Sequence, residues 1–320
     1  MPRTRRTGAE PETSTSTSTL ITAQGLIFLA KSFFLAIGAS LIVLLILAGV
    51  LVYTISKKRN TQESVNPGTY LVTKYVPLNF KGPQGNEHEG WLLLGLPGAP
   101  AVILCHGYDS NRAEVLSQGF LLQQNHFNVF IFNFHSKESN KLSSLGVREK
   151  DILLAAVQAV TKQDKVNPNR VGVWGVSVGG YAALAAAEES DLIAALAIDS
   201  VYAEPRQLME AQIDHYLGGS SAIFRFLADL QFRLLNLTTD SLNIEENLES
   251  LGDRPKFFLS GRDVPALAAL TQEIHDAAPD PKQILILERS RTSILIGNPK
   301  SEYENQILNF FLQNLPLRAN

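Results

Sequence analysis

Gly175-Val176-Ser177-Val178-Gly179 follows the apolar run Arg170-Val171-Gly172-Val173-Trp174 and leads into Tyr181-Ala182-Ala183-Leu184-Ala185-Ala186-Ala187. A strand, a glycine-flanked serine and a helix, in that order, are what a nucleophile elbow requires. Side chains beside the serine would clash at so tight a turn, so glycine stands on both sides. The turn lifts the hydroxyl clear of the strand and points the helix N-terminus at it. Ser177 is therefore a candidate acyl-transfer nucleophile.

Composition narrows the setting. The 320 residues include 28 basic and 31 acidic ones, a formal net charge of −3, which gives no basic surface for nucleic acid. Cys105 is the only cysteine. It excludes an intramolecular disulfide and any multi-cysteine metal site, and its place in Ala101-Val102-Ile103-Leu104-Cys105 predicts a buried structural thiol. No cofactor and no metal is expected. Glu245, Glu246 and Glu249 lack the oxygen spacing of a calcium loop and read as a solvated helix face. Asn236-Leu237-Thr238 fits a glycosylation sequon, but it falls in a predicted helical region.

Residues 1–24 are polar, with Ser-Thr alternation from Thr13 to Thr19. So little apolar surface predicts a disordered tail. From Ser32 to Ser56 there is no charge, and at about 1.5 Å per residue such a helix spans a hydrocarbon core of about 30 Å. Residues 25–56 are read as a single transmembrane anchor, in preference to a cleaved signal or a buried helix, because no small-residue cleavage site precedes Lys57. Lys57-Lys58-Arg59 behind the span places the following domain on the cytoplasmic side. Counting Arg3, Arg5, Arg6 and Lys31 as well brings the two sides nearly level.

Residues 57–68 read as a juxtamembrane linker closed by Pro67-Gly68, and 69–317 as one domain. Strands are expected around Tyr70 to Phe80, Gly90 to Leu96, Ala101 to Cys105, Phe127 to Phe132, Ile193 to Ile198, Lys256 to Ser260 and Gln283 to Leu287. Helical stretches fall between them, at Arg112 to Gln124, Val147 to Lys162 and Pro265 to Ala277. Nearly continuous apolar strands alternating with helices indicate a parallel sheet covered on both faces. Residues 203–250 interrupt the rhythm as a helix-rich insertion, either a lid or ordinary covering helices. A last helix is expected from Ser301, with Glu304 completing a capping box.

These residues resemble the α/β-hydrolase fold, and in particular its membrane-anchored bacterial serine-hydrolase branch, similar to prolyl-oligopeptidase-like peptidases and esterases. Cys105-His106-Gly107-Tyr108 looks like the family's His-Gly segment after the third strand. Ser144-Leu145-Gly146 with Glu149-Lys150-Asp151 looks like the approach to the next helix. Ser260-Gly261-Arg262-Asp263 resembles the turn that carries the catalytic acid, with Asp263 one residue early. The resemblance implies that Ser177 attacks an ester, thioester or amide carbonyl of a small-molecule or lipid-like acyl substrate. The backbone N–H groups of Tyr108 and Val178 would stabilise the oxyanion, and Asp263 would orient a histidine base. Asp199, ending the sixth strand, is the alternative acid, and a loop or helix cap is its simpler reading.

The histidine is missing. The loop after the last strand reads Glu288-Arg289-Ser290-Arg291-Thr292-Ser293-Ile294-Leu295, and Arg291, which takes the base's approximate place, cannot accept a proton at neutral pH. His135, in the altered turn Asn133-Phe134-His135-Ser136, and His215, in the insertion, are candidate substitutes. His106 reads as structural; His88, His126 and His275 read as surface or helix-end residues. Two functions stand open at this stage: a hydrolase with an unusual base or a low rate, and a pseudohydrolase serving as a binding or scaffold module. Arg291→His is expected to raise the hydrolysis of a chromogenic acyl ester by up to about 100-fold. No gain would mean that the loop lacks the geometry as well as the residue.

Overall fold

A strand buried on both faces needs two covering layers, and the strand that carries the serine has both. The computed structural model describes residues 16–57, 65–70, 74–108, 110–136, 142–219, 221–236, 243–290 and 295–317. In it β7 (Val166–Val176) lies inside an eight-stranded sheet. The order is β1 (Tyr75–Pro77), β4 (Gly90–Leu93), β6 (Asn128–Phe132), β5 (Ala99–Cys105), β7, β8 (Ile193–Asp199), β9 (Lys256–Gly261) and β10 (Lys282–Leu287). β4 runs antiparallel to both its neighbours, and the pairs from β6 to β10 are parallel. β2 (Phe80–Lys81) and β3 (Glu87–His88) form a separate small ladder.

Side chains alternate between two cores, as strand geometry demands. Ala101, Ile103, Cys105, Val171, Val173, Leu196, Ile198 and Phe258 pack under α3 (Val147–Thr161), α4 (Val178–Glu189) and α7 (Pro265–Ala277). Val102, Leu104, Trp174, Val176, Ala195, Ala197, Phe257 and Leu259 face α2 (Leu116–Gln124) and α8 (Gly297–Asn314). Tyr303, Ile307, Phe310 and Phe311 fall on one face of α8 and are buried there.

The elbow sits where β5 and β7 come closest to α4. A Cβ on Gly179 would lie 2.5 Å from the Cys105 carbonyl oxygen and 2.7 Å from that of His106, and a Cβ on Gly175 would overlap the Gly179 carbonyl. The obstacles are backbone, which cannot turn aside. This is the physical content of the two glycines.

After β8 the chain makes α5 (Pro205–Leu217) and α6 (Ala222–Leu235) within the insertion. α1 (Ser16–Ser56) contains one stretch, Gln24–Ser56, long and apolar enough to cross a membrane. Its residues 24–37 are exposed throughout. From Leu44 onward a stripe of Ala48, Val52 and Ile55 is buried in the first of the two cores. Gln231 on α6 donates from Nε2 to the Leu45 carbonyl (3.0 Å), and the Ser143 N–H donates to the Ser56 carbonyl (2.8 Å).

Several expectations need correction. α1 begins at Ser16, within the segment read as a disordered tail. Once the apolar span is helical, extending it adds a hydrogen bond per residue without a new nucleation cost. Residues 1–15 and most of the linker, 58–64, lie outside the described residues. The run from Tyr70 to Phe80 is divided: β1 ends at Pro77, which has no amide for a ladder, and Phe80 pairs elsewhere. α8 starts at Gly297, with Pro299 in a first turn that asks no donor of it. Glu304 therefore does not cap this helix. Its carboxylate accepts from the Ser117 hydroxyl at 2.7 Å.

Gly179→Ala is expected to destabilise the protein by about 1–3 kcal/mol, measured as a lower urea midpoint in detergent; an unchanged midpoint would contradict the close approach of α4 to β5.

Candidate active site

Ser177 joins β7 to α4 at φ 52°, ψ −112°, a region that L-residues occupy only when the surroundings enforce it. Such strain costs about 1–3 kcal/mol. Its N–H donates to the Asp199 carbonyl (2.8 Å), and its carbonyl accepts from the Tyr181 N–H (2.9 Å). The hydroxyl is buried and makes no hydrogen bond among the described residues.

On one side of the elbow lies a small cavity lined by His106, Gly107, Tyr108, Phe134, His135 and Val178, together with Ser143 and Glu149. Both residues expected to supply oxyanion amides, Tyr108 and Val178, are in this wall. His106 is buried, and burial lowers its pKa to about 4 against a hydrogen bond to the Gly107 carbonyl. The neutral ring accepts the Phe134 N–H at Nε2 (3.2 Å), which assigns its proton to Nδ1, 3.1 Å from the Gly107 oxygen. It ties the loop after β5 to the loop after β6 and is no base for Ser177.

His135 is half-buried in the same cavity. Next to it is a group that sequence reading placed in a motif without giving it a role, the buried carboxylate of Glu149. It accepts from the Ser143 hydroxyl (2.8 Å), the Ser144 hydroxyl (2.9 Å) and the Gly146 N–H (3.0 Å). Burial pushes its pKa up, but the charge of His135 and the two serine hydroxyls outweigh that, and the carboxyl is held below its ordinary value. The signal was present as two serines and a glycine shortly before an acid in a first helical turn.

The acid side differs from expectation. Strand alternation turns Asp199 toward α8, where it is fully buried. Tyr303 donates to Oδ2 (2.6 Å) and Ser200 to Oδ1 (2.7 Å), and the Ser200 hydroxyl is 3.1 Å from that of Ser290. Asp199 is thus neither a loop residue nor a helix cap; Glu204 occupies the N-cap position of α5. Burial raises the Asp199 pKa to about 7, against the hydroxyl hydrogen bonds that lower it. Asp263 follows β9, is exposed, and its N–H donates to the Glu288 carbonyl (3.2 Å).

His215 is exposed at the end of α5, its ring edge-on to Tyr216 at 5.8 Å; it does not reach Ser177. Arg291 lies outside the described residues, as does part of the sequon, Leu237 and Thr238. No cluster of three His, Cys, Asp or Glu side chains that could hold a metal occurs among the described residues.

Residues 138–216 match the family model of the prolyl oligopeptidase family. The structure is similar to the Pyrococcus furiosus esterase Pf2001, with a TM-score of 0.64 at 18% identity, over 82% of this chain and 100% of that one. The chain has the α/β-hydrolase fold. Among curated proteins this α/β-hydrolase-fold chain is 24% identical to the uncharacterized protein YfhR of Escherichia coli O157:H7, over 74% of its own length and 81% of that protein's. It is 29% identical to the thiohydrolase aneE of Aspergillus aculeatus over 35% of this chain and 37% of that protein.

The Asp199 site predicts a pH dependence. The folded protein keeps a proton on Asp199 up to about pH 7, whereas an unfolded aspartate releases it near pH 4. Folded chains then bind more protons than unfolded ones, so this group's contribution to stability falls as pH rises through that window. Between pH 5 and 8 the wild type is expected to lose on the order of a few kcal/mol relative to Asp199→Asn, read as a steeper fall of the thermal midpoint. Parallel curves would contradict the assignment.

Proposed function

We propose that this chain is a membrane-anchored serine hydrolase that cleaves activated acyl groups, esters and thioesters, slowly through Ser177. The observation that carries the reading is the Ser177 hydroxyl, buried at a strained elbow and without a hydrogen-bond partner among the described residues. A serine kept only for packing would gain by bonding to a neighbour, since an unmade buried hydrogen bond costs about 1–3 kcal/mol. Here that cost adds to the backbone strain. A group kept at such expense is one whose partner is a substrate.

In this reading Ser177 Oγ adds to the acyl carbon, and the oxyanion forms beside the amides of Tyr108 and Val178. Collapse breaks the bond to the leaving alkoxide or thiolate, which departs as the anion and then takes up the proton that Ser177 had passed to the base. Water then adds to the acyl-enzyme and releases the acid. His135, oriented by the Glu149 carboxylate in the same cavity, is the base this reading assigns, acting through a water. Asp263 and Asp199 stand on the other side of Ser177 without a histidine to orient. Good leaving groups therefore suit the site, and amides, whose nitrogen must be protonated as it leaves, do not. The likeness to an esterase and to a thiohydrolase supports this class of substrate.

The anchor is Gln24–Ser56, and Lys57-Lys58-Arg59 behind it favour a cytoplasmic domain. A pseudohydrolase that binds rather than cleaves is the second reading. The observation favouring it is that, among the described residues, no base bonds to the Ser177 hydroxyl, while the Asp199 carboxyl is taken up by Tyr303 and Ser200.

A fluorophosphonate probe distinguishes the two. The folded wild type is expected to label over hours, Ser177→Ala not at all, and His135→Asn about tenfold more slowly than wild type. A folded wild type that never labels would overturn the hydrolase reading in favour of the binding module.

A further inference from the structure

α6 presents two apolar faces, and the domain covers only one of them. Phe224, Ala228 and Phe232 point into the core. On the opposite side Ile223 (60% exposed), Phe226 (64%), Leu230 (41%) and Leu234 (56%) stand in the open. At 3.6 residues per turn these four occupy roughly 80° of arc. The charged side chains Arg225, Asp229 and Arg233 fall on the flank away from α1, with Asp229 and Arg233 paired at 3.0 Å. Gln231, which holds α1, falls on the other flank.

The bare face of α6 is therefore continuous with α1. At the level where Gln231 meets the Leu45 carbonyl, α1 itself exposes Leu45 (47%), Ile46 (57%) and Val50 (59%). Gly49 permits this contact, since a Cβ there would lie 2.5 Å from Gln231 Oε1. If α1 is in lipid at this height, α6 is beside it. Contiguous exposed apolar surface marks a membrane or protein contact, and a bare apolar face beside a basic flank suits a bilayer interface.

We infer that α6 is immersed in the bilayer beside the anchor, its Ile223, Phe226, Leu230 and Leu234 face against lipid acyl chains and its Arg225 and Arg233 flank at the headgroups. This rests on the anchor reading of α1. The insertion is then a membrane-seated element, and it shares α1 with the cavity beside the elbow, because Ile55 and Lys57 at the end of α1 form part of the cavity wall.

The test is site-directed spin labelling of the full chain in vesicles of phosphatidylcholine and phosphatidylglycerol. Single labels are placed by Phe226→Cys, Leu230→Cys, Ile46→Cys and Lys162→Cys; native Cys105 is fully buried. Collision with oxygen, which partitions into lipid, is compared with collision with a water-soluble nickel chelate. The expected result is an oxygen-to-nickel ratio at 226 and 230 within about twofold of that at 46, and several-fold above that at the exposed helix-end position 162. A lipid-like ratio at 46 with a water-like ratio at 226 and 230 would overturn the inference while leaving the anchor intact. Water-like ratios at 46 as well would mean that the anchor reading has failed. Spin–spin broadening at 226, with low access to both reagents, would mean that a second copy covers the face, and would equally overturn it.

Discussion

The close approach of α4 to the end of β5 is the constraint on which the site depends. Hydrogen-bonding groups of the Gly179 and Cys105 backbones come so near that no side chain fits between them. That contact fixes the entry of α4, and with it the positive φ at Ser177 and the direction of its hydroxyl. The same approach brings the first turn of α4 against the His106-Gly107-Tyr108 loop. His106 completes the arrangement by bonding at both ring nitrogens, one to each of two loops. Ser177, the His106-Gly107-Tyr108 loop and the cavity wall are thus one unit set by backbone packing.

Around that unit the protein buries two carboxyl groups and treats them oppositely. Glu149 has donors on both oxygens and a histidine charge beside it, and stays ionised. Asp199 has two hydroxyls, deeper burial and the repulsion of Asp263, and its pKa climbs to about 7. In a triad the acid serves to stabilise an imidazolium. Here the acid whose backbone bonds to the elbow faces a tyrosine, and the ionised carboxylate shares with a histidine the cavity that Tyr108 and Val178 line.

What could be read from the sequence was what local backbone chemistry dictates. The elbow was legible because Gly175, Ser177 and Gly179 are adjacent, and the sheet because buried parallel strands leave uninterrupted apolar runs such as Ala101 to Cys105. The sites made by distant contacts were not. Tyr303 meets Asp199 across 104 residues of chain, and Gln231 meets Leu45 across 186. Tyr303 reads in sequence as one more apolar position on α8, and nothing in its spacing announces the hydroxyl's partner. The start of α8 was misplaced because Ser301 and Glu304 imitate a capping pattern, whereas the acid is drawn to Ser117 on another helix.

The docking of α1 bears on how this protein can be handled. Long apolar N-terminal helices are commonly removed to obtain a soluble domain, on the assumption that the two are mechanically independent. Here Ala48, Val52 and Ile55 are core residues of the domain, and the Ser56 carbonyl receives the Ser143 amide at the lip of the cavity. Cutting the chain behind Ser56 would strip α6 of its neighbour, leave the Ser143 amide without its acceptor and unroof the pocket beside Ser177. A truncated protein that proves inert or aggregates would report the loss of a wall, and only a version retaining residues 44–57 keeps the pocket whole.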